Sequence, residues 1–494
     1  MSRNTRVQKE GAQRLRRQQR TPATNNESLK VLREWFLDDG IFSQIKLHGN
    51  IKWSPIYLVW LSLCWAWSES RNLTDAFTGA LGCCQTMFGS TPLRTYQGFM
   101  AALVNWTPKL MLLLRETLHQ RMEQIGGKFW RIEGWVPIAF DGSRSTAPRT
   151  AANEAAFCAA NYGKGKTAKY RRKKSKGMRR KKNQQNKAKP QEPQAWITMM
   201  WHMGLRLPWD WRLGPSNSSE RAHVMEMVRA GRFPANALFC GDAGFVGYSL
   251  WSCLLANGGD FLIRVGANVS LLQEHTNYTI EKSKNGMLVL CWPKTAMQAN
   301  QPPLRLRLLQ VQLGKARVWM LTSVLDWQKL TAKAIVRFYK MRWGIEVDFR
   351  GLKQTLDRAK LRCRNDRRLL AELDWSILAM AVAELLALKE QLSQRSLKSR
   401  DKSLPPEPVK RSLAKTVRAL RTCLSKLKEV PEASQNLVSL LRAALTDSYK
   451  RKASKRARYL PPNPDKKTLG DPKLRPLQRL DKEKLGQLSK EMAV

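Results

Sequence analysis

Tyr339-Lys340-Met341-Arg342-Trp343-Gly344-Ile345-Glu346-Val347-Asp348-Phe349-Arg350-Gly351-Leu352-Lys353 is the stretch whose reading decides the fold. From Thr331 to Leu356 apolar residues recur at helical spacing, which predicts one helix. On such a helix Arg342, Glu346, Phe349 and Lys353 share a face, and Tyr339 lies one turn earlier on the same side. The face presents a phenol, a guanidinium, a carboxylate and an ammonium in line. Three of these groups suit phosphate oxygens, and the carboxylate suits a hard divalent cation. A plainer reading competes: Arg342 and Glu346 as a surface i,i+4 ion pair worth ~0.3–0.5 kcal/mol, with Tyr339 and Trp343 as a core stripe. Gly344 and Gly351 weigh against it. Each costs ~0.8–1.0 kcal/mol relative to Ala inside a helix, and each is explained where a backbone or ligand approaches closely. Asp348, two residues from Glu346, points elsewhere and is read as a surface group.

Upstream, two short apolar runs end in an aspartate. Val136 to Phe140 leads into Asp141-Gly142-Ser143, and Asn236 to Cys240 leads into Gly241-Asp242-Ala243-Gly244. Each reads as a strand followed by a turn, and an Asp-Gly turn is the ordinary explanation of either alone. Between them, residues 195–214 read as two strands around a turn near Pro208-Trp209-Asp210, and Ser219 to Ala230 reads as a helix. Tyr248 to Ala256 is a further helix and Asp260 to Val265 a strand. From Ala267 to Leu325 the period is mostly two, which predicts a β-rich insert.

The flanks are helical. Residues 27–130 carry helix-period patterns with turn signals at Asp39-Gly40 and Gly126-Gly127, and Leu373 to Leu388 is a second apolar helix. Another helix has apolar positions Val409, Leu413, Val417, Leu420, Leu424 and Leu427. The expected organisation is therefore a basic arm (1–26), a helical N-terminal domain (27–130), a core in two parts (131–266 and 326–392), the β-rich insertion (267–325), a helical C-terminal region (393–448) and a basic tail (449–494).

The chain has 494 residues, 87 Lys plus Arg against 39 Asp plus Glu, and a formal charge of +48. A field of that sign and size favours polyanions, and nucleic acid is the default partner because neutralising phosphates releases counterions. Residues 164–189 hold fourteen Lys or Arg and no acid, which predicts a solvated loop that grips DNA without sequence preference. The longest apolar run, Tyr57 to Trp67, is too short to cross a bilayer and reads as a buried helix. The nine cysteines and five histidines are scattered, with no zinc spacing. Free thiols and the absence of a signal-peptide core lead to an expected cytoplasmic, nucleoid-associated location with no membrane partner.

Tyr339, Arg342, Glu346 and Lys353 match Y-x2-R-x3-E-x6-K, and Trp343, Ile345 and Phe349 fit "RW-x-IE-xx-F". The segment resembles the signature helix of DDE transposases of the insertion sequence four type. The similarity extends over about residues 136–390, including Lys360 to Arg364 and the Glu372-Leu373-Asp374-Trp375 helix start. The resemblance implies an α/β fold: a ribonuclease-H-like catalytic core with an inserted all-β subdomain, flanked by helical regions. It implies Asp141, Asp242 and Glu346 as catalytic metal ligands for two Mg²⁺ ions, with Mn²⁺ as a substitute. Asp141 would bridge the ions, and Asp242 and Glu346 would each complete one. Tyr339, Arg342 and Lys353 would hold DNA phosphate. A stacking tryptophan of the insert would hold a flipped base, and Trp292 is the candidate, although a buried sheet aromatic is its plainer reading.

The chemistry explains the residue types. Two Mg²⁺ ions activate the attacking hydroxyl and stabilise the leaving oxygen of a phosphodiester. Acids clustered without cations repel one another and raise their own pKa values. The expected function is cleavage and strand transfer at the ends of a mobile element, on double-stranded DNA carrying inverted terminal repeats and on target DNA, by a homodimer. The alternatives are a catalytically inactive DNA-binding protein of the same fold and a basic RNA-binding protein.

Overall fold

A computed structural model describes residues 23–158, 192–273, 285–314, 316–398, 410–447 and 469–491. The basic run 164–189, residues 1–22 of the arm and residues 448–468 of the tail lie outside the described residues. The chain divides into two units, one of residues 1–125, 371–405 and 409–446, the other of residues 126–370, 406–408 and 447–494.

The first unit is helical. Its helix Asn25–Phe36 starts with a reciprocal capping box between Thr24 and Glu27, which satisfies two backbone donors that the helix leaves open. The apolar run forms helix Pro55–Trp67, with Ser54 as N-cap and proline in the first turn. Nearly all its side chains are buried. The segment Leu373 to Leu388, expected in the catalytic core, belongs to this unit instead, as part of helix Asp366–Lys398. Two buried indoles find polar partners there: Trp375 donates to the Thr107 hydroxyl at 2.8 Å, and Trp67 donates to the Ala379 carbonyl at 2.9 Å. Helix Leu413–Ser425 buries Val417 and Leu420 within the same unit. No helix among the described residues is long and apolar enough to cross a membrane.

The second unit is built on one mixed sheet. Its strands are β1 (Val136–Thr146), β2 (Gln194–His202), β3 (Leu207–Gly214), β4 (Ala237–Gly241), β5 (Asp260–Val265), β6 (Ser270–Gln273), β7 (Met287–Cys291), β8 (Leu304–Leu313), β9 (Ala316–Thr322) and β10 (Lys473–Pro476). Their order is β10-β6-β7-β8-β9-β5-β4-β1-β2-β3. The block β3-β2-β1-β4-β5 has β1, β4 and β5 parallel and β2 antiparallel to β1. That is a ribonuclease-H-like core. Val136 to Phe140 and Ala237 to Gly241 are buried throughout, as central strands covered on both faces must be. Helix α1 (Glu220–Ala230) joins β3 to β4, and a helix at Tyr248–Ala256 joins β4 to β5.

Several boundaries differ from the sequence reading for local reasons. The β2–β3 turn falls at residues 203–206, where Arg206 adopts φ 57°, and not at Pro208-Trp209-Asp210. Proline is tolerated at 208 because β3 is the last strand of the sheet. The insertion extends the core sheet: β9 pairs antiparallel with β5, and β8, β7 and β6 follow. A short helix, Lys294–Gln298, interrupts it. Part of the expected tail is ordered as well. It supplies β10, which pairs parallel with β6, and helix Arg479–Glu491.

The helix expected over Thr331 to Leu356 is two helices, α2 (Ala332–Arg342) and α3 (Gly344–Gln354), meeting at Trp343. A side chain at Gly344 would enter the indole of Trp201 on β2, with ring carbons at 2.7 and 3.0 Å from the Cβ position. The backbone of α3 therefore rests directly on a tryptophan face. Trp201 also donates its indole N–H to Asp348 at 2.5 Å, and Asp348 is only 6% exposed. The surface role expected for Asp348 is thus corrected: it ties α3 to the sheet.

Candidate active site

The site forms where β1 and β4 part. Their pairing runs from Val136↔Ala237 to Ala139↔Cys240 and stops there, while β1 continues beside β2 to Thr146. Asp141 lies two residues beyond the last β1–β4 pair, and Asp242 follows the last residue of β4. A crevice outside the carboxyl ends of parallel strands, at the point where strand order jumps, is where open α/β sheets bind ligands. Each aspartate is held by a nearby backbone N–H. Asp141 Oδ1 accepts from Gly142 at 2.8 Å, and Asp242 Oδ1 accepts from Gly244 at 2.7 Å.

The α3 helix brings Glu346 to the same place. Asp141, Gly142, Ser143, Glu346, Phe349, Arg350, Lys353 and Gln354 line one cavity of about 420 Å³. Face alternation explains the pairing. Asp141 and Ser143 point to one side of β1, and so does Ala139, whose cross-strand partner is Trp201. That is the side on which Trp201 receives α3. Lys353 accordingly donates to the Ser143 hydroxyl at 2.7 Å.

The carboxylates feel one another. Burial raises the Asp141 pKa, the Gly142 N–H and Arg342 lower it, and Asp242 raises it. Burial raises that of Glu346 too, followed by the charge of Asp141; Arg342 and Arg350 oppose this, and Asp242 adds to it. Asp141 and Glu346 thus line one cavity, whereas Asp242, following the last residue of β4, does not line it and acts on both as a nearby charge. Among the described residues no three acids, cysteines or histidines stand together as a ligand set.

Arg342 is 3% exposed, with Nη1 at 3.7 Å from Asp141 Oδ2. Its guanidinium lies 5.3 Å from the ring centroids of both Tyr339 and Trp343. Nε and Nη1 make no hydrogen bond. Tyr339 is buried and supports the guanidinium, whereas Trp343 is 53% exposed. Lys353 is half-buried, and burial lowers its pKa. Trp292 is not brought to the cavity. It packs with Leu272, Leu290, Ala296 and Leu488 and gives its N–H to the Gln301 carbonyl at 2.8 Å, as a buried sheet aromatic does.

Sequence reasoning missed three participants. Ser143 was legible by strand alternation from Asp141, and Arg350 by its place one turn after Glu346. Glu220, in the first turn of α1, left no signal beyond an ordinary helix start. Its carboxyl carbon lies 2.6 Å from where a Cβ of Gly142 would stand. Its pKa is pushed up to about 7, by burial first and then by Asp141 and Asp242, with Arg144 opposing.

Against known proteins, residues 137–382, about half of the chain, match the family model described as "Transposase DDE domain". No curated protein matches the sequence. Among solved structures, the chain resembles a cryo-EM structure of a piggyBac transposase synaptic complex with hairpin DNA, at 12% identity and a TM-score of 0.38, over 87% of this chain and 88% of that one. At that level the likeness carries no argument, and the assignment stands on the family match and on the strand order. The chain carries a transposase DDE domain and belongs with the DDE transposases, which are DNA transposases by function.

Proposed function

We propose that the chain cuts and rejoins DNA strands at the ends of an insertion element of the insertion sequence four type, with Asp141, Asp242 and Glu346 holding two Mg²⁺ ions, for which Mn²⁺ substitutes. The observation that carries this reading is the cavity that Asp141 and Glu346 line together at the β1–β4 parting, with Asp242 following the last residue of β4. The donor set fits: all are hard oxygen ligands, and a divalent cation would remove the repulsion and reverse the raised pKa values. When bound, such ions activate the attacking hydroxyl and stabilise the leaving oxygen.

The protein's own groups do the rest. Arg342 has two buried N–H groups without acceptors, and an entering phosphate oxygen would satisfy them with charge-assisted bonds. Tyr339 packs against the guanidinium and helps hold it in place. Lys353 exchanges the Ser143 hydroxyl for a phosphate oxygen. The N–H groups of Gly142 and Gly244 hold Asp141 just beyond the last β1–β4 pair and Asp242 after the end of β4. The net charge of +48 draws double-stranded DNA, both the inverted terminal repeats and the target. We assign end recognition to the N-terminal helices and expect a homodimer in the DNA complex.

The test is a nicking assay with Mg²⁺ on DNA bearing the inverted repeats that flank the coding sequence. Wild type nicks and Glu346→Gln does not. Equal nicking by both removes Glu346 from the chemistry. No nicking by either favours the inactive DNA-binding reading.

A further inference from the structure

We propose that Arg33 and Tyr57, in the helical unit, form a site for one phosphate group of the DNA backbone. The inference rests on the reading above that the N-terminal helices recognise the element's ends, and it names residues that make the contact. Three observations lead there.

The first is the place of Arg33. Beyond its first residue, helix Asn25–Phe36 buries Leu29, Leu32, Arg33 and Phe36, so a guanidinium stands on an otherwise apolar stripe. Arg33 is only 8% exposed. The second is the lack of a partner. The guanidinium lies 4.8 Å from the ring centroid of Phe88 and 6.0 Å from that of Trp60. The rings attract its charge but leave its N–H groups without an oxygen acceptor. Its Nε is buried and makes no hydrogen bond, and no acid among the described residues forms an ion pair with it, since the adjoining Glu34 pairs with Lys30 at 3.7 Å. Buried charges are as a rule paired, and burial lowers the pKa of this one. The third is the company. Tyr57 packs its ring 5.5 Å from that of Phe88, on which Arg33 also rests, and its hydroxyl is buried without a partner. Trp60, one turn further along helix Pro55–Trp67, keeps an unpartnered indole N–H. Donors are thus gathered about one ring with no acceptor among them. A guanidinium fork matches the oxygens of a phosphate, and the phenol supplies a further bond. Charge selects the occupant: with a net charge of +48, a second copy of the chain is repelled and DNA is attracted.

The experiment uses full-length protein without divalent cations. Fluorescence anisotropy follows binding to a duplex of the inverted repeat over a range of KCl, and thermal unfolding is recorded in potassium phosphate and in potassium chloride at equal ionic strength. Arg33→Met keeps an unbranched side chain on Phe88 and removes the charge, and Tyr57→Phe removes one hydroxyl. Arg33→Met is expected to bind the duplex about tenfold more weakly, with a salt slope shallower by about one unit, and to lose the Tm gain that phosphate gives wild type. Tyr57→Phe is expected to lose part of both. In chloride neither variant should unfold earlier than wild type, because each removes a buried donor that has no protein partner. Wild-type DNA affinity in Arg33→Met overturns the proposal, and so does a lower Tm of that variant in chloride, which would mark a structural cation. If wild type binds the repeat no better than an unrelated duplex, end recognition by this protein fails, while Arg33→Met on the unrelated duplex still decides the phosphate contact.

Discussion

Gly344→Ala tests how α3 is seated. The new methyl would meet the benzo ring of Trp201, with carbons at 2.7 and 3.0 Å from the Cβ position. The ring's Cη2 is closer still, and carbon atoms rest at ~3.5–4.0 Å, so more than ~1 Å of separation must be created. Overpacking of this kind costs ~1–3 kcal/mol, and replacing glycine in a helix returns ~0.8–1.0 kcal/mol. The net loss of stability is about 0–2 kcal/mol. Catalysis is expected to suffer more. Glu346 lies in the same first turn of α3, and a misplacement of ~1 Å costs on the order of 10²-fold in rate, equivalent to about 2.7 kcal/mol of barrier. Mg²⁺-dependent nicking of end DNA, measured beside urea denaturation, separates the two effects. A folded Gly344→Ala protein that nicks within about twofold of wild type would refute the reasoning that the Trp201 contact positions Glu346.

Other outcomes follow from the same geometry. Asp348→Asn weakens a buried bond from an indole to a charged acceptor, and should lower stability by ~1–2 kcal/mol in urea denaturation; no loss would return Asp348 to the surface role that its sequence position suggested. Trp292→Phe removes one hydrogen bond and some packing in the inserted strands, so a loss of ~1 kcal/mol with unchanged nicking is expected, and a selective loss of nicking would restore its base-stacking role. Acids whose pKa is raised on folding bind protons more tightly in the folded state, so stability falls as pH rises through the interval between the two values. For Glu220 that interval runs from 4.5 to about 7, and Asp141 and Glu346 act with the same sign above their ordinary values. Unfolding in EDTA should therefore become easier across it, with a smaller slope in Glu220→Gln; equal slopes would remove the acid cluster as the cause.

The legible parts of the site were those written in local periodicity. The start of β1 and the whole of β4 announce themselves because both faces are covered, leaving apolar runs that stop at Asp141 and Asp242; the turn expected at Asp141-Gly142 is absent, because β1 continues through it to Thr146 beside β2. The spacing of Glu346, Phe349 and Lys353 survives as one cavity-lining face, even though the helix breaks at Trp343. Gly344 was correctly read as a point of close approach, but only the register of β2 tells that Trp201 is what approaches. The same long-range contact is why Asp348 looked like a surface acid. The β2–β3 turn was misplaced because proline usually marks turns, and whether β3 lies at the sheet edge depends on the order of all ten strands. Glu220 was invisible for a similar reason. Its meaning depends on the gap at Gly142, on another strand.

The most direct test of the account is Mn²⁺ binding to the metal-free protein and to Asp141→Asn, Asp242→Asn and Glu346→Gln, followed by titration calorimetry. Three acids from β1, the end of β4 and α3 should act as a single site, so each substitution alone should weaken binding by at least about tenfold. Wild-type affinity in any one of the three would show that this acid is not part of the site, and the account of a shared carboxylate centre would not stand.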